Sequence, residues 1–306
     1  MRVFVAGATG TLGRPTVRAL AAAGHEVRAV ARRPESAEML RALGAEPVPI
    51  ADFFDAGEIT AAVAGSEAVL HLATRIPPFG RMRRRAAWRE NDRVRSQGSS
   101  ILVSAALAAR ARVYVQQSVT LLYQDLGDTW LYETAPLDAA WPLASARDAE
   151  RETARFTARG GQGIVLRLGI FYGPQAPSTR ALVGLARWRL APVVGTGEQY
   201  VSSIHVDDAA AAVAAALAVP AGVYNVVDDE PLSERAYLGA LAAAFGFKAP
   251  RRISRRLARF LLGPGGEVLA RSQRVSNTMF KAVTPWKPAY PTAREGWPAI
   301  AKAWGR

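Results

Sequence analysis

The sequence predicts an α/β protein: a doubly wound parallel sheet with a smaller C-terminal lobe. Three observations predict it. An apolar run at Val3–Ala6 leads into glycines at 7, 10 and 13 and then a stretch rich in Ala and Leu up to Ala23. Strand-like and helix-like segments then alternate as far as Leu168, as a sheet with crossover helices requires. From Tyr172 the alternation loosens into Pro- and Gly-rich stretches with short helical patterns.

The first strand, Arg2–Ala6, its glycine turn and the helix Leu12–Ala23 form the order in which spaced glycines signify a dinucleotide site. Gly7 permits the tight turn, Gly10 lets the backbone approach a pyrophosphate, and Gly13 lets helix pack closely on strand. Thr9, Thr11 and Leu12 complete the loop, and the helix N-terminus offers free N–H groups to phosphate. The sheet is therefore expected to be of the Rossmann type.

Further strands are expected at Glu26–Ala31, Glu46–Ile50, Ala68–Leu72, Arg112–Gln116 and Gly163–Leu168. Helices are expected at Glu35–Leu43, Gly57–Val63, Arg89–Ala109 and Ser145–Ala158. Such sheets bind ligands at the carboxyl ends of their strands, so the residues that follow each strand are the candidates. After the second strand stand Arg32 and Arg33, which with Arg14 favour a 2′-phosphate and hence NADP(H) over NAD(H). Asp52, next to Phe53, is placed either to accept a bond from an adenine amino group or to cap the next segment. Leu72, Ala73 and Thr74 let the backbone run beside a cofactor, while His71 is read as a core histidine. Gln117, Ser118 and Thr120 follow the fifth strand; Leu168, Ile170, Phe171 and Tyr172 close the sixth.

Beyond that point, helices are expected near Asp207–Leu217, Ser233–Phe245 and Ser254–Leu262, and Gly222–Val227 reads as a strand returning to the sheet. The division expected is a dinucleotide-binding domain of residues 1–172 with 205–227, and a substrate-binding lobe of 173–204 and 228–306. Specificity is expected from loops at 78–90, 173–204 and 247–290, where Arg187 and Arg189 flank Trp188. Asp207 and Asp208 are expected to serve the first turn of a helix, where the dipole favours them.

Composition narrows the function. The 306 residues contain no cysteine, which excludes disulfides, thiolate nucleophiles and thiolate metal sites. No His/Asp/Glu cluster has metal-ligand spacing, and no nucleophile-elbow Gly-x-Ser-x-Gly surrounds Ser118. The net charge of +13 comes almost wholly from arginine, with dense groups at 81–95 and at Arg251, Arg252, Arg255, Arg256 and Arg259. Neither group lies in a nucleic-acid-binding motif or carries interleaved aromatics, so both are read as solvated helix faces and no nucleic-acid partner is expected. No apolar run approaches the length of a spanning helix, and Met1-Arg2 leads straight into a core strand. No membrane partner is expected, and a cytoplasmic location is the default.

The fingerprint Gly7-Ala-Thr-Gly10-Thr-Leu-Gly13 resembles that of the extended short-chain dehydrogenase/reductase family, the NAD(P)-dependent epimerase/dehydratases. Val115-Gln-Gln-Ser118, Arg167-Leu-Gly-Ile-Phe-Tyr-Gly-Pro174, Ile204-His-Val-Asp-Asp208 and Tyr224-Asn-Val-Val-Asp-Asp-Glu-Pro231 resemble it in the same order. So do Ser272-Gln-Arg-Val-Ser-Asn277 and Trp286-Lys-Pro288, and Asn91 matches an Asn of the family. The resemblance implies an NAD(P)-dependent oxidoreductase or epimerase acting on a small carbonyl, hydroxyl or sugar-nucleotide substrate. It also implies a dimer built on the helices that contain Arg89–Ala109 and follow Arg147.

In that family a Ser, a Tyr and a Lys work beside the nicotinamide, the tyrosine as general acid/base. Ser118 takes the serine position, but where Tyr-x-x-x-Lys should open a helix this chain reads Leu143-Ala-Ser-Ala-Arg147. Leucine moves no proton; Arg147 keeps a charge for a ribose hydroxyl and cannot act as a base. Ser118 and Arg147 are thus the candidate catalytic residues, with Ser118, Thr120 and Tyr172 toward substrate. Three alternatives stand: Tyr123, Tyr132, Tyr172 or Ser145 replaces the tyrosine; hydride transfer needs no protein acid; or the chain is a catalytically silent dinucleotide-binding protein, a redox sensor or scaffold.

Overall fold

The computed structural model describes residues 1–139, 141–254, 256–258, 260 and 270–306. Its centre is a seven-stranded sheet of β1 (Arg2–Ala6), β2 (Glu26–Ala31), β3 (Ala45–Pro49), β4 (Ala68–His71), β5 (Val113–Val119), β6 (Gln162–Leu168) and β7 (Gly222–Val226). The strands lie in the order β7-β6-β5-β4-β1-β2-β3 and every pairing is parallel. The doubly wound Rossmann sheet is therefore present, with the reversal of strand order beside β1.

Both faces of this sheet are covered, which is why its strands read as almost unbroken apolar runs. Val3 and Val5 point toward α1 (Gly13–Ala22) and α8 (Val206–Ala215), where Val17, Leu20, Ala209 and Val213 complete one buried layer. Phe4 and Ala6 point the other way, against α3 (Ala56–Val63), α5 (Ser99–Ala108) and α6 (Ala144–Ala158). β2 and β3 are joined through α2 (Pro34–Ala42), which has Pro at its first turn.

β5 continues past the expected end at Gln116, because it pairs with β6 residue by residue up to Val119↔Leu168. Ser118 is thus a strand residue. The single helix expected at Arg89–Ala109 is three segments: α4 (Arg89–Arg93), a π-helical turn (Val94–Gly98) and α5. Ala105 and Ala106 are fully buried in the same layer as Tyr114 and Phe156, so their close packing is used inside the chain.

The stretch 173–204, expected as loop, contains α7 (Pro177–Arg187), opened by Pro177. α9 (Glu234–Ala244) is present as expected, and two further helices, α10 (Thr278–Val283) and α11 (Ala293–Ala303), were masked in the sequence by their prolines and short length. Trp297 of α11, Leu241 of α9 and Val183 of α7 share a core with Tyr172. His205, rather than an aspartate, caps α8 through Nδ1, and Asp208 instead accepts the Ala289 and Tyr290 amides at 2.7 and 3.0 Å. Of the helix expected at Ser254–Leu262, residues 256–258 and 260 are helical, while Arg255, Arg259, Leu261 and Leu262 lie outside the described residues.

Candidate functional site

The glycine loop lies at the carboxyl end of β1, against the end of β4. Gly7 has φ +88°, and a Cβ there would lie 2.4 Å from the Ala73 nitrogen. A Cβ at Gly13 would lie 2.1 Å from the Gly7 carbonyl oxygen. These two glycines are required by the chain's own packing. Gly10 differs: it is exposed, and a Cβ there would meet only the Gly7 oxygen, at 3.2 Å. The backbone there is open to an approaching group, and the amides of Thr11 and Leu12 donate to nothing among the described residues. With the α1 N-terminus behind it, this cradle fits a dinucleotide pyrophosphate.

The remaining strand-end residues line the same edge. Arg32 and Arg33 are exposed, and their guanidinium groups make no hydrogen bond or ion pair among the described residues. Arg14 is engaged, donating from Nε to the Thr9 carbonyl at 3.0 Å. Asp52 accepts the Phe54 amide at 2.9 Å, and Asp55, not Asp52, caps α3. Phe53 packs beneath, its ring 5.9 Å from that of His71 and against Gly98 of the π turn. Leu72 is buried, while Ala73, Thr74, Ile170 and Phe171 are half-buried. Gln117 and Leu168 are buried.

His71 is a core histidine. Nδ1 lies 3.0 Å from both Gln116 Oε1 and Ser99 Oγ. Burial pushes its pKa down to about 4, partly opposed by the bond to Gln116 and assisted by the charge of Arg95.

The end of β5 is organised by residues that pattern reading missed. Ser118 is fully buried, and its hydroxyl donates to Glu150 Oε1 at 2.7 Å. Arg167 Nε and Nη2 hold the two oxygens of the same carboxylate at 2.9 and 2.8 Å. Its Nη1 donates to Tyr123 Oη at 3.0 Å and to the Glu133 carbonyl at 3.2 Å. Tyr123 in turn donates to Asn225 Oδ1 at 2.7 Å. Burial opposes the charge on Arg167, but the bonds to Glu150 outweigh it and raise its pKa above the usual range. Glu150 and Arg167 could be found in the sequence only as unassigned charges within an apolar strand and an amphipathic helix.

This arrangement occupies most of the hydroxyls proposed to replace the tyrosine. Tyr123 is fully buried, and burial raises its pKa against the opposing charge of Arg167. Ser145 donates to Asp92 Oδ1 at 2.8 Å. Tyr172 lies sealed among Trp297, Tyr237 and His205, with its hydroxyl donating to Asp228 at 3.1 Å. Burial first, then the Asp228 charge, drives its pKa upward. Tyr172 therefore belongs to the C-terminal core and presents no open face to a substrate. Thr120 is likewise buried. Tyr132 is half exposed and Leu143 packs with Leu122 and Ala146. Arg147 is half-buried, and its guanidinium makes no hydrogen bond or ion pair among the described residues.

The NAD dependent epimerase/dehydratase family matches residues 3–226, most of the chain. The chain belongs to this family. Binding of a nicotinamide dinucleotide goes with membership. A Streptomyces protein named 3-diazoavenalumate denitrifying reductase is 36% identical over 316 residues, covering 97% of this chain and 99% of its own. A Stigmatella aurantiaca 4-hydroxy-2-methyl-3-oxo-4-farnesyl-3,4-dihydroquinoline-1-oxide ketoreductase is 29% identical, covering 81% and 75%. The human epimerase family protein SDR39U1, solved with NADPH, shares the fold at a TM-score of 0.80 and 22% identity, over 99% of both chains. Among the described residues no His/Asp/Glu group could hold a metal ion, and no helix is long and apolar enough to cross a membrane.

Proposed function

We propose that this chain is an NADP(H)-dependent reductase of small molecules that transfers hydride without a protein proton donor. The observation that carries this reading is the pairing of a complete glycine cradle with candidate hydroxyls that, Tyr132 apart, are already committed: those of Ser118, Tyr123, Ser145 and Tyr172. When bound, the reduced nicotinamide supplies the hydride. Gly7, Thr9, Gly10, Thr11, Leu12 and Gly13 hold the pyrophosphate. Arg32 and Arg33 take the 2′-phosphate as unpaired guanidinium groups, and Arg147 donates to the ribose hydroxyls. Asp52, Phe53, Leu72, Ala73, Thr74, Gln117, Leu168, Ile170 and Phe171 form the walls. Ser118 takes a structural part there, tying β5 to α6 through Glu150. Residues 173–204 and 228–306 supply the substrate lobe over the domain of 1–172 and 205–227.

The acceptors expected are those that need no enzymic acid. The Streptomyces relative is named for reduction of a diazo compound, an acceptor of that kind. Hydride added to the terminal nitrogen of an aryldiazonium gives a diazene, which releases N2 and leaves the hydrogen on carbon. Ketones protonated by solvent after hydride addition form the second class, in line with the ketoreductase relative.

Fluorescence titration with NADPH and NADH tests the reading. NADPH should bind at least about tenfold tighter, and the double variant Arg32→Glu/Arg33→Glu should erase that preference while leaving NADH binding unchanged. NADPH oxidation in the presence of aryldiazonium salts and ketones should then be measurable in the wild type. Failure to bind either dinucleotide defeats the reading; binding without turnover of either acceptor class favours the silent binding protein.

A further inference from the structure

Arg95 lies in the π-helical turn between α4 and α5 and is only 2% exposed. Its Nε is sealed from solvent without a partner, and neither terminal nitrogen makes a hydrogen bond or ion pair among the described residues. A guanidinium in that position carries a desolvation cost that no hydrogen bond within the described residues offsets. Burial lowers its pKa to about 10, against the raising effect of Asp92 and Glu150, so it is charged at neutral pH.

The groups that face it are occupied elsewhere. Asp92 accepts the Ser145 hydroxyl, and Glu150 is held by Ser118 and twice by Arg167. His71, held by Gln116 and Ser99, is neutral and can add no negative charge. Arg167, equally buried in the same region, shows the contrast: each of its three nitrogens donates to a named acceptor. A core position filled by packing alone would be served by an aliphatic chain. Arg95 instead leaves a planar fork of donors next to the Ser118–Glu150 contact, at the carboxyl end of β5, where ligands of this sheet type bind.

We propose that Arg95 anchors a carboxylate of the substrate, which makes the substrate a small organic acid; this rests on the reductase reading and deepens it. The two terminal N–H groups match the two oxygens of a carboxylate, a geometry that a lysine would not reproduce.

The test uses the full chain saturated with NADPH, after NADPH binding has been established separately for each variant by fluorescence. Thermal unfolding is followed with acetate, benzoate and cinnamate, with benzamide and cinnamamide as neutral counterparts, and with inorganic phosphate. At least one carboxylate should raise the unfolding temperature where its amide does not. Arg95→Met should retain NADPH binding and weaken that carboxylate at least about tenfold. Arg95→Gln, which keeps a polar side chain without the charge, provides the same readout should the methionine variant not fold. The proposal is overturned if no carboxylate stabilises the wild type, if amides match acids, or if the effect survives loss of Arg95. An equal response to phosphate that depends on Arg95 also overturns it, by making the site one for phosphate. Loss of NADPH binding by the wild type would instead defeat the reductase reading.

Discussion

Two strand-to-helix junctions on one sheet have followed different constraints. At the β1–α1 junction the backbone itself is the site: Gly7 is confined by Ala73, Gly13 by the Gly7 carbonyl, and only Gly10 faces outward. At the end of β5, which faces the start of α6, the site is made of side chains. There Leu143 packs with Leu122 and Ala146, and Ser118 turns to Glu150. The comparison teaches that a cradle built from backbone and glycine is locked by local sterics, whereas the end of β5 is set by side-chain partners drawn from distant parts of the chain.

The largest effect should come from the first junction. Gly13→Val puts a side chain where a single Cβ already lies 2.1 Å from the Gly7 oxygen. NADPH affinity should fall more than about a hundredfold, with loss of stability visible by circular dichroism. Affinity close to wild type would break the comparison, because the loop would then be able to give way.

At the second junction the expected loss is in stability rather than cofactor binding. Glu150→Gln leaves Arg167, whose side chain is 6% exposed, without its counter-charge. Urea unfolding should show a loss of about 3 kcal/mol, with NADPH affinity within about threefold of wild type. A large drop in NADPH binding with unchanged stability would place Glu150 in the binding machinery instead.

A smaller, pH-dependent effect lies beneath both junctions. His71 has its pKa lowered from 6.5 to about 4 by burial, so the folded state binds fewer protons than the unfolded chain. Its contribution is therefore complete above pH 6.5 and is lost as pH falls toward 4. The loss should reach at most about 3 kcal/mol, and His71→Gln should flatten that part of the profile. An unchanged slope between those pH values in the variant would assign the acid sensitivity to other groups.

Much of this was legible beforehand. β1 and β2 span the residues expected of them, and the Gly7–Gly13 spacing announces its loop because chain-local sterics demand it. The exposure of Arg32 and Arg33 just past β2 follows in the same way, since a strand end places whatever follows it. The π turn at Val94–Gly98 was not, because a helical period persists through one inserted residue. Nor was α7, whose Pro177 reads as a breaker until it is seen to occupy the first helical turn.

The sequence by itself determined the parallel sheet, the glycine cradle and the strand ends that flank it, all of which depend on residues close in the chain. Tertiary structure alone decided which way Ser118 faces, that Tyr172 is sealed by Trp297, and that Arg167 is satisfied while Arg95 is not. Those outcomes depend on contacts between residues tens of positions apart, where burial and the competition for each acceptor, rather than local pattern, select the partner.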